Sequence, residues 1–300
     1  MNLAIVTDST ADLHEDELER YALYRVPLYV SFRGETYRDW VDIEPATIIE
    51  GVAAGADLPS TSQPSPEDFA TAYRKAVEDG ADTILVITLS AELSGTYQSA
   101  VAATEAVEAD VRVFDSRVAS LGHGAMARTA ARMRDAGASI EAIEAGLEHM
   151  RDSTFIVFTV ATFDYLQKGG RIGRASALVG SLLNIKPILT LEEGRIAPLT
   201  RARGMRKAVQ EMVDRLAAFA ADRPGERITV DYIHVEDPSA VERLRQAVEE
   251  KGVDATFNGF YQIGAVLTSH VGPGTFGMIA RSEPGGRAET GSVGPADPRE

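Results

Sequence analysis

The chain predicts an α/β fold in two domains: an N-terminal Rossmann-like domain on a parallel sheet, and a C-terminal α+β domain on a largely antiparallel one. Three observations carry this. From Leu3 to Arg151, short apolar β-branched runs alternate with stretches of helical spacing, the rhythm of strand–helix–strand units. After Asp152 that rhythm yields to closer strands, with Glu192-Glu193-Gly194 as a hairpin turn. The 300 residues also suffice for two cores. The boundaries are read as 1–152 and 153–282, and 283–300, full of Gly, Pro and charge, as a disordered tail.

Leu3–Thr7 is the first expected strand, and Asp8, Ser9 and Thr10 are capping residues before a helix carrying Leu18 and Tyr21. Val26–Phe32 is read as the next strand, turned by Gly34, and Ile43–Ala54 as a helix. Leu58–Glu67 holds three prolines, so the hydroxyls of Ser60, Thr61, Ser62 and Ser65 sit on extended or turned backbone. Ser65-Pro-Glu-Asp68 has the form of a capping box, which accounts for Ser65 and leaves Thr61 and Ser62 free.

Thr83–Thr88 is a buried strand whose following turn, rich in small and hydroxyl residues, opens a helix to about Val107, with Ser90 or Ser94 as N-cap. Free N–H groups at such a turn suit an anion, and Ser94 and Thr96 add hydroxyls beside Gly95. No Lys or Arg occurs from Thr83 to Val111, and no Gly-Lys-Ser/Thr closes the turn. That disfavours a di- or triphosphate and suits a single carboxylate, which hydroxyls and amides can hold. Val111–Phe114 is the next strand, followed by helices from Ser120 to about Ala136 and Ile140–Arg151; His123 is read as packing or capping.

The second half is read as a strand at Phe155–Val160, a short helix at Phe163–Gln167, a cationic turn at Lys168–Gly173 and an apolar helix at Ala175–Leu183. A hairpin of Pro187–Leu191 with Arg195–Leu199 follows. Helices Met205–Ala221 and Ser239–Glu250 then alternate with strands Ile228–Val235 and Ala255–Tyr261. His270–Gly274 is expected as a tight loop and Phe276–Ala280 as the last strand.

A net charge of −15 argues against general nucleic-acid binding. Between Lys168 and Lys207, nine basic residues face two acidic ones, a net +7 that leaves −22 on the rest. Such a segment is either a solvated face or a docking face for an anionic partner. There is no cysteine, no transmembrane segment and no metal motif. No basic leader precedes Leu3, so a soluble, cytoplasmic protein without cofactor is expected. Thr61 or Ser94 could pair with His270 as nucleophile and base, but no Gly-x-Ser-x-Gly elbow surrounds either.

Six stretches together resemble the DegV family of bacterial fatty-acid-binding proteins. They are Thr7-Asp-Ser-Thr-Ala-Asp-Leu13, Thr61-Ser-Gln-Pro-Ser-Pro-Glu-Asp-Phe69, Leu93-Ser-Gly-Thr-Tyr-Gln-Ser99, Lys168-Gly-Gly-Arg-Ile-Gly173, Ile185-Lys-Pro-Ile-Leu189 and His270-Val-Gly-Pro-Gly274. The resemblance implies one buried long-chain fatty acid with its carboxylate at the domain junction. It also implies the lipid-binding subunit of a two-component fatty acid kinase. A separate ATP-binding subunit would phosphorylate the carboxylate, and a downstream acyltransferase would pass the product to phospholipid synthesis. By the same resemblance Thr61, Ser94 and His270 hold the carboxylate, with Ser62, Gly95 and Thr96 nearby, and Arg171 engages the kinase. Leu178, Val179, Leu182, Leu183, Ile185, Ile188, Phe260, Ile263, Val266 and Leu267 are candidates for the tail pocket. The expected protein is a monomeric carrier without catalysis of its own, in transient contact with membranes. The alternative is a stand-alone acyl hydrolase or small-molecule phosphotransferase using His270.

Overall fold

The computed structural model describes residues 2–179 and 185–283. Strands β1 (Leu3–Asp8), β2 (Leu23–Val26), β6 (Thr83–Thr88) and β7 (Asp110–Asp115) form a parallel sheet in the order β2-β1-β6-β7. The two central strands are buried along their whole length, as a sheet covered on both faces requires. Residues alternate between those faces. Ala4, Val6, Ile84 and Val86 pack on α3 (Pro66–Glu78) and α4 (Thr96–Ala102), while Leu3, Ile5, Leu85 and Ile87 face the other way.

That second face meets α5 (Leu121–Asp135) and α6 (Ile140–Asp152), and beyond them a six-stranded sheet. Its strands are β8 (Thr154–Thr159), β9 (Ile185–Glu192), β10 (Arg195–Arg203), β11 (Arg227–His234), β12 (Thr256–Gln262) and β13 (Phe276–Glu283), ordered β10-β9-β8-β13-β11-β12. All its pairs are antiparallel except β11 with β12. Ile156, Phe158, Ile233 and Ile279 share the core of the parallel sheet; Val157, Val230, Tyr232 and Met278 face α8 (Met205–Ala221) and α9 (Pro238–Lys251). The expected α/β class with one parallel and one mostly antiparallel sheet is what the chain builds.

The largest departure lies between these layers. Val26–Phe32 is not one strand: β2 ends at Val26, and after Pro27 the chain leaves the sheet. Tyr29–Phe32 (β3) instead pairs antiparallel with Glu35–Arg38 (β4) and Ser60–Ser62 (β5) in a separate three-stranded sheet. Arg33 and Gly34 both take positive φ, 53° and 84°, in the two-residue turn between β3 and β4, the geometry that matches strand twist. This sheet packs on α2 (Pro45–Ala53) and on α10 (Ala265–Val271), a helix the sequence pattern did not show and whose last two residues fall in the expected His270–Gly274 loop. Of the remaining helices, α1 is Glu15–Arg20 and α7 is Asp164–Lys168. Gly173–Leu178 is a 3-10 segment rather than the start of a long apolar helix, whose remainder reaches into 180–184, outside the described residues along with 284–300.

The β9–β10 turn touches the parallel sheet. Ser90 Oγ donates to the Gly194 carbonyl at 2.9 Å, and Arg195 pairs with Glu92. Gly194 has φ +78°, and a Cβ there would stand 2.3 Å from Ser90 Oγ. Gly194→Ala is therefore expected to cost about 1–3 kcal/mol in urea unfolding; an unchanged midpoint would show that this contact is dispensable.

Candidate functional site

The site begins at the end of β1. Asp8 is fully buried, and its Oδ1 caps the following turn, accepting from Thr10 N at 3.0 Å and Thr10 Oγ1 at 2.6 Å. Its Oδ2 accepts from Leu89 N at 2.7 Å, which ties β1 to the end of β6, and His123 Nε2 lies 3.5 Å from Oδ1. Burial pushes the Asp8 carboxyl up, but the neighbouring His123 and these hydrogen bonds outweigh it and hold the group below its usual range. Capping is thus part of what Asp8 does, and the fully buried His123 packs against its carboxyl.

Next to this hub, between the C-terminal ends of the parallel strands and the inner face of the antiparallel sheet, lies a cavity. Position at the carboxyl ends of parallel strands is where such sheets bind ligands. Its walls are apolar over most of their extent: Leu28 and Leu89 from one side, Ile156, Phe158, Ile196, Ile233 and Ile279 from the other, and Val266, Leu267 and Val271 of α10.

Its polar groups include Thr61, Ser62 and Gln63 from β5 and its continuation, Ser94 from the turn before α4, Ser120, Arg171 and His270. Thr61, Ser94 and His270, far apart in sequence, are thereby brought to one cavity, with Ser62 exposed beside them. Gly95 and Thr96 do not line it. Gly95 lies against Gln63, whose Nε2 would be 2.4 Å from a Cβ there, and buried Thr96 holds Ser94 from behind, Oγ to Oγ1 at 2.8 Å. The helix after this turn starts only at Thr96, is capped by neither Ser90 nor Ser94, and runs just 7 residues. Hydroxyls, rather than a long helix dipole, are what this turn offers an anion.

Arg171 is partly buried and turned inward, donating from Nε to the Leu93 carbonyl at 2.9 Å and from Nη1 to the Gly169 carbonyl at 2.7 Å. His270 stands in the last turn of α10, not in a loop, with Nε2 at 2.8 Å from Thr61 Oγ1. Its Nδ1 has no hydrogen-bond partner among the described residues and lies against Gly169, where a Cβ would be 2.3 Å away. A buried N–H without an acceptor is costlier than a bare lone pair. We therefore assign the imidazole proton to Nε2, donating to Thr61 Oγ1, which leaves the Thr61 hydroxyl proton free to point into the cavity. Burial, with the Arg171 guanidinium adding to it, pushes the His270 pKa down to about 4.

Of the residues read as pocket wall, Ile263, Val266 and Leu267 line the cavity. Ile188 does not, because the strand alternation turns it into the core beneath α8. Phe260 is 39% exposed and packs on Tyr232 and Phe257 of the far edge. Val179 is exposed, Leu178 packs on the core without lining the cavity, Ile185 pairs with Arg203 on β10, and Leu182 and Leu183 lie outside the described residues. Ser120 and Gln63 were not legible as site residues: Ser120 belongs to no motif, and Gln63, though inside the Thr61–Phe69 stretch, carries no local sign that it faces a cavity. In the basic segment, Arg174 pairs with Glu192 and Glu193, while Lys168, Arg201, Arg203, Arg206 and Lys207 are exposed.

Fold and cavity define an α/β protein of three sheets built around an apolar chamber with a polar end. More particularly, the chain belongs to the DegV family: a family model described as "Uncharacterised protein, DegV family" matches residues 2–283. A DegV domain-containing protein of Deinococcus radiodurans is 40% identical over 93% of this chain and 98% of its own length. A Thermotoga maritima protein named fatty acid-binding protein is 37% identical over 93% and 97%. The solved structure of a fatty-acid-binding DegV family protein from Thermus thermophilus matches with a TM-score of 0.90 at 44% identity, over 94% of this chain and all of that one. A stearic-acid-binding protein from Eubacterium ventriosum matches with a TM-score of 0.84 at 29% identity, over 93% and 98%. No helix among the described residues is long and apolar enough to cross a membrane.

In the ligand-free protein, the His270 ring C–H resonances are expected to stay in the neutral position from about pH 8 down to about pH 5.5 and to titrate with a midpoint of about 4. A midpoint at or above the free-histidine value would overturn the burial argument.

Proposed function

We propose that this protein binds one long-chain fatty acid, tail in the apolar chamber and carboxylate at Thr61, Ser94 and His270. The observation that carries this is the cavity's asymmetry: aliphatic walls along its length, and hydroxyls with a neutral imidazole gathered at one end. Burying a long acyl chain is worth about 0.8 kcal/mol per methylene, so the tail supplies affinity. The polar end supplies orientation, through hydroxyl donors from Thr61 and Ser94.

We further propose, in keeping with the family resemblance, that the bound acid is presented to a separate ATP-dependent kinase subunit that forms the acyl-phosphate for phospholipid synthesis, with Arg171 at the contact. The hydrolase reading is disfavoured at the same residues. Thr61 and His270 are within hydrogen-bond reach, but Nε2 carries the proton and donates to Thr61, and a base is most effective with a pKa near the working pH, whereas His270 lies near 4. Nor does any described group orient its Nδ1.

Mass spectrometry of an organic extract of the purified protein should yield a stoichiometric long-chain fatty acid. Thr61→Val and Ser94→Ala should each weaken retention by about 1.5–3 kcal/mol, roughly 10- to 100-fold. An empty extract that stays empty after incubation with oleate and palmitate would sink the lipid reading, and unchanged affinity in both variants would sink the head-group assignment.

Arg171→Ala should keep the lipid while losing phosphorylation by the kinase subunit. Loss of lipid would instead assign Arg171 to holding the Ser94 turn through the Leu93 carbonyl, and full phosphorylation would remove it from the docking role.

A further inference from the structure

Two carboxyl groups that take no part in the proposed head-group contacts, Asp12 and Asp39, are fully buried between the parallel sheet and α10. Asp12 Oδ1 accepts from Gly264 N at 2.8 Å and from the Trp40 indole at 3.4 Å, and its Oδ2 lies 2.6 Å from Ser120 Oγ. Asp39 accepts from Val266 N at 3.2 Å through Oδ1 and from Ser9 Oγ at 2.8 Å through Oδ2. The backbone contacts fall on the start of α10, the helix that contributes Val266, Leu267, His270 and Val271 to the cavity.

Ser120 also lines the cavity, and its backbone is strained, with φ 56° and ψ −148°, a region close to one populated almost solely by glycine. Asp12 and Trp40 also have positive φ, 53° and 62°. Such conformations persist only where the surroundings over-determine them, and the Asp12 carboxyl is the common partner here. There is no slack beside it: a Cβ on Gly264 would stand 2.3 Å from Trp40 Nε1 and 3.1 Å from Asp12 Oδ1.

We propose that Asp12 and Asp39 form a clasp that holds α10 and Ser120 together in the wall of the ligand cavity, and that ionisation of the clasp loosens that wall. The ligand arm of this inference rests on the fatty-acid reading. Burial pushes Asp12 up to about 8 against its hydrogen bonds from Ser120 and Gly264, with the Asp39 charge adding to the rise. Burial likewise pushes Asp39 up to about 6, against hydrogen bonds from Ser9, Val266 and Ala265 and the charge of Arg25. The other charged or titratable groups around the clasp are Glu15, which pairs with Arg25 of β2, and His14, edge-on to Trp40 at 4.8 Å. Asp8 and His123 pair with each other on β1 and α5, and His270 lies at the far end of α10.

An acid that holds its proton more tightly folded than unfolded contributes stability that is full below the ordinary carboxylate range. That contribution is lost as pH rises through about 6 for Asp39 and about 8 for Asp12. His270 acts in the opposite sense and lower down, losing stability as pH falls from its ordinary value toward about 4. The interval from about pH 6.5 to about pH 8.5 therefore belongs to the clasp.

The test measures thermal unfolding of ligand-free protein and oleate dissociation at about pH 6.5 and about pH 8.5. The wild type is compared with Asp12→Asn, which keeps both acceptor and donor positions of the protonated acid. The wild type should unfold earlier and release oleate several-fold faster at the higher pH, and Asp12→Asn should show neither change; comparing variants cancels the ionisation of oleate itself. Equal pH slopes in the two proteins would overturn the clasp. If no oleate binds at either pH, the fatty-acid reading fails, while the unfolding arm still decides the clasp. Should Asp12→Asn not fold, Ser120→Gly relieves the backbone strain while removing the Asp12 partner. It should release oleate several-fold faster at the lower pH without loss of thermal stability, and an unchanged rate would overturn the proposal.

Discussion

The rest of this structure hangs on the buried polar turn that follows β1, residues Asp8 to Asp12. Three of its side chains reach different parts of the chain: Asp8 the backbone of Leu89, Ser9 both Leu28 N and Asp39, Asp12 both Ser120 and Gly264 N. Buried carboxylates and hydroxyls are tolerated only when hydrogen-bonded, so every one of these partners must arrive together for any to be worthwhile. The consequence is geometric. The ends of β6, the crossover at Leu28, the start of α5 and the start of α10 converge on one point, and the space they enclose is the cavity. Because Leu28, Leu89, Ser120 and Val266 line that cavity or sit one residue from a bonded group, its shape is inherited from polar contacts behind the walls.

Why the cavity stays open follows from its walls. Ile156, Ile196, Ile233 and Ile279 are β-branched residues on paired strands, with little χ1 freedom, and cannot swing in to fill the space. The helix opposite, α10, is seven residues long, too short to hold its form alone. Its place is set at one end by Asp12 and Asp39 and at the other by Gly272, with φ +73° and no room for a Cβ against Tyr165. Rigid strands face a helix fixed at both ends, and the volume between them is kept for a guest.

The two larger sheets, most helices and the cation-free character of the Thr61 and Ser94 segments were legible because they rest on local signals: strand period, proline, caps and charge. What was not legible depended on distant partners. The break after Val26 looks like a continuous strand, since Leu28, Val30 and Phe32 keep the apolar pattern while changing sheets. α10 was hidden because Gly264, Gly272 and Gly274 flank a run too short to show a period. Asp8 was legible as a cap, but its bond to Leu89, 81 residues away, leaves no local trace. Ile188 and Phe260 failed as pocket residues for the same reason: apolar alternation says that a strand has two buried faces, not which face meets a cavity.

The electrostatics of the polar end narrow what the guest can be. Arg171 spends its Nε and Nη1 donors on two carbonyls, and its guanidinium, added to burial, holds His270 neutral. No described carboxylate pairs with Arg171; Glu92, the nearest acid in sequence to the Ser94 turn, is engaged with Arg195. The cavity end therefore sets hydroxyl donors and a neutral imidazole beside a guanidinium already bonded to two carbonyls. A fatty acid carboxylate entering there would accept from the hydroxyls and would offset the depression of His270, because an anion nearby favours the protonated imidazole. An ester or alcohol with the same tail would fill the same walls without that effect on His270. On this reading the apolar chamber decides how tightly a chain is held, and the hydroxyl donors at its end decide how the chain is oriented.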